Sequence, residues 1–119
     1  MSARTFKTAW FAKAARKARI DDVELCEAIR EVELGHADDL GGGVFKKRLD
    51  KNRYRSIILA NSGKFWVFAF LFAKKDRANI DDAELRSFRL YASVFRHKTD
   101  AEIRMELHDG DLMEICNGN

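Results

Sequence analysis

Phe65-Trp66-Val67-Phe68-Ala69-Phe70-Leu71-Phe72-Ala73 is nine residues without a polar interruption, and its reading decides the architecture. Aromatic and β-branched residues dominate it, and the turn-like Asn61-Ser62-Gly63 precedes it, so it reads as a strand. Both alternate faces are apolar. Such a strand is central, covered on both sides or by helices on one and large aromatics on the other. Working toward the N-terminus, Tyr54 to Ala60 and Val44 to Leu49 have the same character and are separated by the turn-like Asp50–Asn52. With Lys64 to Ala73 they form an antiparallel meander of three strands. Gly41–Gly43 lead flexibly into the first of these; they match neither GxxxxGK[ST] nor GxGxxG in the required context.

Helical signals flank the meander. Asp21 with Glu24, Asp81 with Glu84 and Thr99 with Glu102 are capping-box spacings, in which the first side chain accepts from the helix start and the glutamate reaches back. After the first, Leu25, Ala28, Ile29 and Val32 recur at the spacing of one helical face, which ends near Gly35. Trp10 to Arg19 also reads as a helix, with a basic face, and Arg4 to Thr8 as a short strand. After Asp81, Leu85, Phe88, Ala92 and Phe95 fall at core spacing, and a last helix from Thr99 carries Ile103 and Leu107. The expected order is strand, two helices, three strands, two helices. This is an α+β fold with helices on one face of a small sheet. Residues 1–119 are expected to form one domain, with 99–119 as a C-terminal helical extension.

The chain has 119 residues, no proline, 46% hydrophobic and 34% charged residues, which fits a globular protein rather than a disordered one. No apolar segment follows Arg4 and Lys7 as a secretory signal would, and the longest apolar run is about half a membrane span. The expected location is the cytoplasm, without a membrane partner. Cys26 and Cys116 lie ninety positions apart, outside any CxxC or Cys/His cluster, and read as a buried thiol and a tail thiol in a reducing compartment. His36, His97 and His108 show no ligand spacing, and Asp38-Asp39 reads as a solvated loop rather than a metal pair. No cofactor or metal is expected.

The net charge of +3 hides a segregation. Residues 41–80 hold ten Lys/Arg and two acids, a balance of +8, and the rest of the chain is net acidic. Clustering of this kind is the footprint of a polyanion-binding surface. Alternation puts Lys46 and Arg48 on one face and Phe45 and Leu49 on the other. Arg55 lies early in the next strand, and Lys74, Lys75 and Arg77 leave the end of the third. Paired in order, the strands bring these groups toward one end of the sheet, with Tyr54 among them to stack on a base or donate its hydroxyl. RNA is cleaved when its own 2′-hydroxyl attacks the neighbouring phosphate, which needs proton transfer and stabilisation of charge at phosphorus. Arginine suits the second task, and a lysine crowded by cations suits the first. Lys46 is the candidate for proton transfer, with Arg48 and Arg55 as phosphate clamps.

Three blocks carry a family resemblance: Asp39-Leu40-Gly41-Gly42-Gly43-Val44-Phe45-Lys46-Lys47-Arg48-Leu49, then Arg53-Tyr54-Arg55-Ser56-Ile57-Ile58-Leu59, then Phe68-Ala69-Phe70-Leu71-Phe72-Ala73-Lys74-Lys75-Asp76-Arg77-Ala78-Asn79-Ile80. In this order the chain, up to about Phe95, resembles the RelE/HigB branch of the RelE/ParE toxin superfamily. The resemblance implies a RelE-like fold and the toxin of a type II toxin–antitoxin system. It implies a metal-independent endoribonuclease that cleaves mRNA on the ribosome and inhibits translation. By position, the residues at the scissile phosphate are Lys46, Arg48, Arg55 and Lys75, with Lys47, Lys51, Arg53, Tyr54, Lys74 and Arg77 binding RNA around them. The implied partners are ribosome-bound mRNA and a cognate antitoxin, often of helix-turn-helix type. One departure is plain: RelE places a catalytic tyrosine shortly after its last basic pair, whereas this stretch reads Asn79-Ile80-Asp81-Asp82, and the nearest tyrosine is Tyr91. Two other functions compete, a ParE-like gyrase poison of the same fold and a non-catalytic nucleic-acid-binding module. The basic triad Lys46, Arg48 and Arg55 favours the nuclease.

Overall fold

Side-chain caps start every helix in the computed structural model, which describes residues 3–61 and 63–116. Thr8 Oγ1 accepts from Phe11 N at 3.0 Å and opens α1 (Ala9–Ala18), directly after β1 (Arg4–Thr8). Asp21 caps α2 (Asp22–Glu33), and Asp81 and Thr99 head full capping boxes on α3 (Asp82–Arg96) and α4 (Asp100–Asp109). The first expected box is only half made. Asp21 accepts from Glu24 N, but the Glu24 carboxylate accepts from Asp50 N and ties the start of α2 to a distant turn.

Four strands complete the set after α2: β2 (Asp38–Gly41), β3 (Val44–Leu49), β4 (Tyr54–Asn61) and β5 (Phe65–Ala73), with β6 (Leu112–Ile115) following α4. They form one sheet in the order β2-β3-β4-β5-β1-β6, antiparallel except where β1 runs parallel to β5. The expected meander is β3-β4-β5. Asp38-Asp39, expected as a loop, is instead the edge strand β2, and the segment 99–119, expected as a helical extension, contributes β6 to the sheet. Both strands have four residues, too few for alternation to show in the sequence. Gly42 and Gly43 make the β2–β3 turn with φ of +64° and +82°, a conformation that favours glycine. Arg89 and Arg96 of α3 donate to the carbonyls of Leu40, Gly41 and Gly42 and hold the helix against this turn.

The helices cover both faces, not one. On one face α1 and α2 enclose Phe11, Leu25, Ile29, Ile58, Phe68 and Leu71; on the other α3 and α4 enclose Val44, Ile57, Val67, Phe72, Phe95 and Ile103. The two-sided apolar character of β5 requires this, because a single helical layer would leave Phe68 and Leu71 in water. A bulge sets the details. Ile57 pairs with Phe70 but Ile58 with Phe68, leaving Ala69 as the extra residue, so that Ala69 and Phe70 both pack on the α3 side.

The two cysteines are bonded, contrary to the expectation of free thiols. The Cys26–Cys116 disulfide spans a Cα–Cα distance of 5.5 Å. Its cause is topological: β6 pairs with β1, and Ile115 enters the core under α2, which brings the next residue to Cys26. Sequence separation carries no trace of that proximity. Among the described residues, no helix is long and apolar enough to cross a membrane.

Candidate functional site

Basic side chains gather on one face of the sheet near the turn from β3 into β4. Arg48 lies directly opposite Arg55 in the β3–β4 pair, and Arg55 lies opposite Phe72 in β5. Lys46 is two residues before Arg48, opposite Ile57, a core residue of the α3 face. Lys46, Arg48 and Arg55 therefore share one face, the face toward which Asn79 and α3 lie.

Their environments differ. Arg55 is 8% exposed, and its Nη1 donates to the carbonyls of Asn52 (3.0 Å) and Tyr54 (3.2 Å), bracing the turn where Asp50, Lys51 and Asn52 all have positive φ. Arg48 is exposed. Among the described residues neither guanidinium has a carboxylate within 4.0 Å. Like charges directly opposite each other in a sheet repel, and a buried charge without a counter-ion costs several kcal/mol, about 3–5 where a partner has been removed. Lys46 donates to Asn79 Oδ1 at 3.2 Å and lies 3.8 Å from Asp38. Its two polar partners are thus an amide and an acid, beside the cations Arg48 and Arg55 of the same face.

Other residues of the expected set lie elsewhere. Lys47 points to the α2 face, where it pairs with Glu31 at 2.7 Å and donates to the His36 carbonyl. That pairing holds the Glu31 carboxyl below its ordinary range. Arg77 lies 5.5 Å over the Phe72 ring, next to Arg55 across the strands, but its guanidinium is bound to Glu84 and to the Asn79 carbonyl. The Glu84 hydrogen bond raises the Arg77 pKa further and lowers that of Glu84. Lys75 is exposed and lines two grooves together with Tyr54, joined in one of them by Lys51, Arg53 and Lys74. These grooves run round the end of the sheet toward α1. The Tyr91 ring lies 5.0 Å from that of Phe95 at a tilt of 53°, and Phe95 meets Phe65 at the opposite end of β5 from the Arg55 pairing. Burial pushes its phenol pKa up.

One group near the basic strip escaped sequence reading. A hollow of about 410 Å³ at the β3 edge is lined by His36 and Asp38 together with Lys46, Lys47 and Arg48. The only signal for it was the ending of α2 near Gly35, which puts a short connection beside β3. The hollow groups His36 and Asp38 with three of the cations. The whole arrangement can hold phosphate oxygens and stabilise negative charge that grows on them.

The family model described as the RelE toxin of the RelE/RelB toxin-antitoxin system matches residues 3–115. No curated protein and no solved structure matches the chain. The six-stranded sheet with four helices is consistent with a RelE-like fold. The family implies a cognate antitoxin as partner. With a match that takes in both the basic strip and the strand that closes the sheet, the chain belongs to the RelE toxin family and is the toxin of a toxin–antitoxin system.

Proposed function

We propose that the protein is a metal-independent endoribonuclease that cleaves mRNA on the ribosome and thereby inhibits translation in the cytoplasm. Family membership supports it, since RelE toxins are generally endoribonucleases. The observation that supports it is the pair Arg48 and Arg55, opposite each other across two strands and, among the described residues, without a carboxylate within 4.0 Å of either. A phosphodiester gives two oxygens to share between two guanidinium groups. Residues 1–119 act as one toxin unit, with the antitoxin covering the basic surface.

In the reaction, the 2′-hydroxyl oxygen attacks the adjacent phosphorus, the O2′–P bond forms, and the P–O5′ bond breaks. Arg48 and Arg55 hold the non-bridging oxygens and strengthen their bonds as charge grows on them. Lys46, anchored by Asn79 and Asp38, supplies a further cation to the same phosphate. We assign the proton lost by the 2′-hydroxyl and the proton gained by the 5′-oxygen to His36, a residue that lines the hollow at the β3 edge together with Lys46, Lys47 and Arg48. Lys75, with Tyr54, Lys51, Arg53 and Lys74, belongs to the RNA path leading away from the scissile bond. Lys47 and Arg77 hold the frame through Glu31 and Glu84.

End-group analysis tests the chemistry. Cleavage of ribosome-bound reporter mRNA is expected to leave a 2′,3′-cyclic phosphate and a 5′-hydroxyl. A 5′-phosphate would mean attack by water and would refute the scheme. Arg48→Ala, at an exposed position, is expected to lower the single-turnover rate by about 10²–10³-fold with little change in affinity.

A further inference from the structure

β1 pairs with β5 only as far as Phe68, opposite Lys7. Beyond that point Leu71, Phe72 and Ala73 have no β1 neighbour, and α1 lies alongside them instead. Between helix and strand runs a trough of about 680 Å³ whose walls include Trp10, Lys13, Lys17, Tyr54, Lys75 and Arg77. A second hollow of about 670 Å³ continues it, sharing Tyr54, Ala73 and Lys75 as common wall and adding Lys51, Arg53 and Lys74.

Three features of this path point to one ligand. Seven cations line it and two acids, Asp50 and Asp76. Lys13, Lys17, Lys51, Lys74 and Lys75 have no carboxylate within 4.0 Å among the described residues, whereas the cations of the α2 side, such as Lys7 and Lys47, are paired. Trp10 is 52% exposed although its ring is stacked on Phe70 at 4.9 Å with an interplanar angle of 21°, so one ring face is fixed and the other is open to a base. Free cations along a groove with an aromatic platform suit a single-stranded nucleic acid, whose bases stack while its phosphates follow the charge. Arg77, which lines the trough and also covers Phe72 beside Arg55, marks where the path joins the basic strip.

We infer that the trough between α1 and the end of β5 is a second RNA-binding site, which holds a single-stranded segment of the substrate away from the scissile phosphate through Trp10, Lys13 and Lys17. It rests on the nuclease reading only for the identity of the substrate. The site positions RNA and takes no part in bond cleavage.

The test uses the full chain and a 2′-O-methyl oligoribonucleotide, which cannot be cut, with binding followed by fluorescence anisotropy across a salt series. Lys13→Ala/Lys17→Ala is expected to reduce the slope of log affinity against log salt by about 1.4, two phosphate contacts at about 0.7 each. Trp10→Ala is expected to weaken binding by about 10- to 100-fold. Arg48→Ala lowers the cleavage rate of ordinary RNA by about 10²–10³-fold in the nuclease reading but leaves the salt slope within about one contact, so the two claims fail separately. All three positions are exposed, and thermal melting of each variant checks that it folds. Unchanged affinity and slope in the trough variants overturn the inference. Unchanged RNA binding with lost affinity for the purified antitoxin also overturns it, and assigns the trough to an acidic segment of that protein.

Discussion

Cutting the Cys26–Cys116 bridge leaves the folded structure nearly intact, because β6 keeps its pairing with β1 and Leu112 and Ile115 remain 1% and 5% exposed in the two cores. The cost of losing the bridge therefore falls on the unfolded chain, which regains the freedom of a loop closed over a 90-residue separation. The chain-entropy relation puts this at about 4.5 kcal/mol at 25 °C. At roughly 4 °C per kcal/mol for a protein of this size, the thermal midpoint should fall by about 15–20 °C. The assay is circular dichroism melting of three samples: the oxidised protein, the same protein with a reductant, and Cys26→Ser/Cys116→Ser. The far-ultraviolet spectrum at 25 °C should coincide in all three. Alkylation under denaturing conditions counts the thiols in each. Two thiols found in air-oxidised protein would refute the bridge, and midpoints within about 3 °C of one another would refute the entropic reasoning.

Glu114 accepts two hydrogen bonds from Arg4, both at 2.8 Å, across β6 and β1, and these hold its carboxyl below the ordinary range. The folded value lies below the unfolded one near 4.5, so the pair's contribution is complete above that pH and is lost as the pH falls through the folded value. Glu114→Gln should flatten the acid side of the stability profile, by less than about 1 kcal/mol because Arg4 is half exposed. Phe68→Ala empties a fully buried site in the central strand and should cost about 3–5 kcal/mol in urea denaturation. His36→Ala should lower the single-turnover rate by at least about tenfold with affinity unchanged; a rate equal to wild type would take the proton-transfer role from His36. Lys47→Ala, one residue from Arg48 but on the α2 face, should lower that rate far less than Arg48→Ala does, which checks the facing of β3.

The sequence made the central strands legible because Val44–Leu49 and Phe65–Ala73 carry their facing in their side chains, and made α2, α3 and α4 legible because their caps and apolar spacing are local. What it hid depends on chain ends meeting. β6 is four residues long and finds its partner more than a hundred positions away, so neither the strand nor the disulfide beneath it leaves a local mark. The same holds for the charged groups. Alternation separates Lys46 and Arg48 from Lys47, but that Lys46 would meet Asp38 follows only from β2, whose pairing turns an apparent loop into an edge strand. The hollow around His36 and the trough beside Trp10 are likewise products of packing: each is lined from separate elements, and neither has a motif.

The most direct test of the nuclease reading is primer extension on a reporter mRNA in a purified translation system, with wild-type protein, Arg48→Ala and Arg55→Ala compared with and without ribosomes. Arg48→Ala keeps the fold because the side chain is exposed, and Arg55→Ala removes the buried partner. The account predicts cuts by the wild type that require ribosomes and disappear with either variant. Cuts that persist at wild-type rate in Arg48→Ala would contradict the opposed-arginine site, and a wild type that makes no cuts but blocks gyrase supercoiling would contradict the nuclease reading itself.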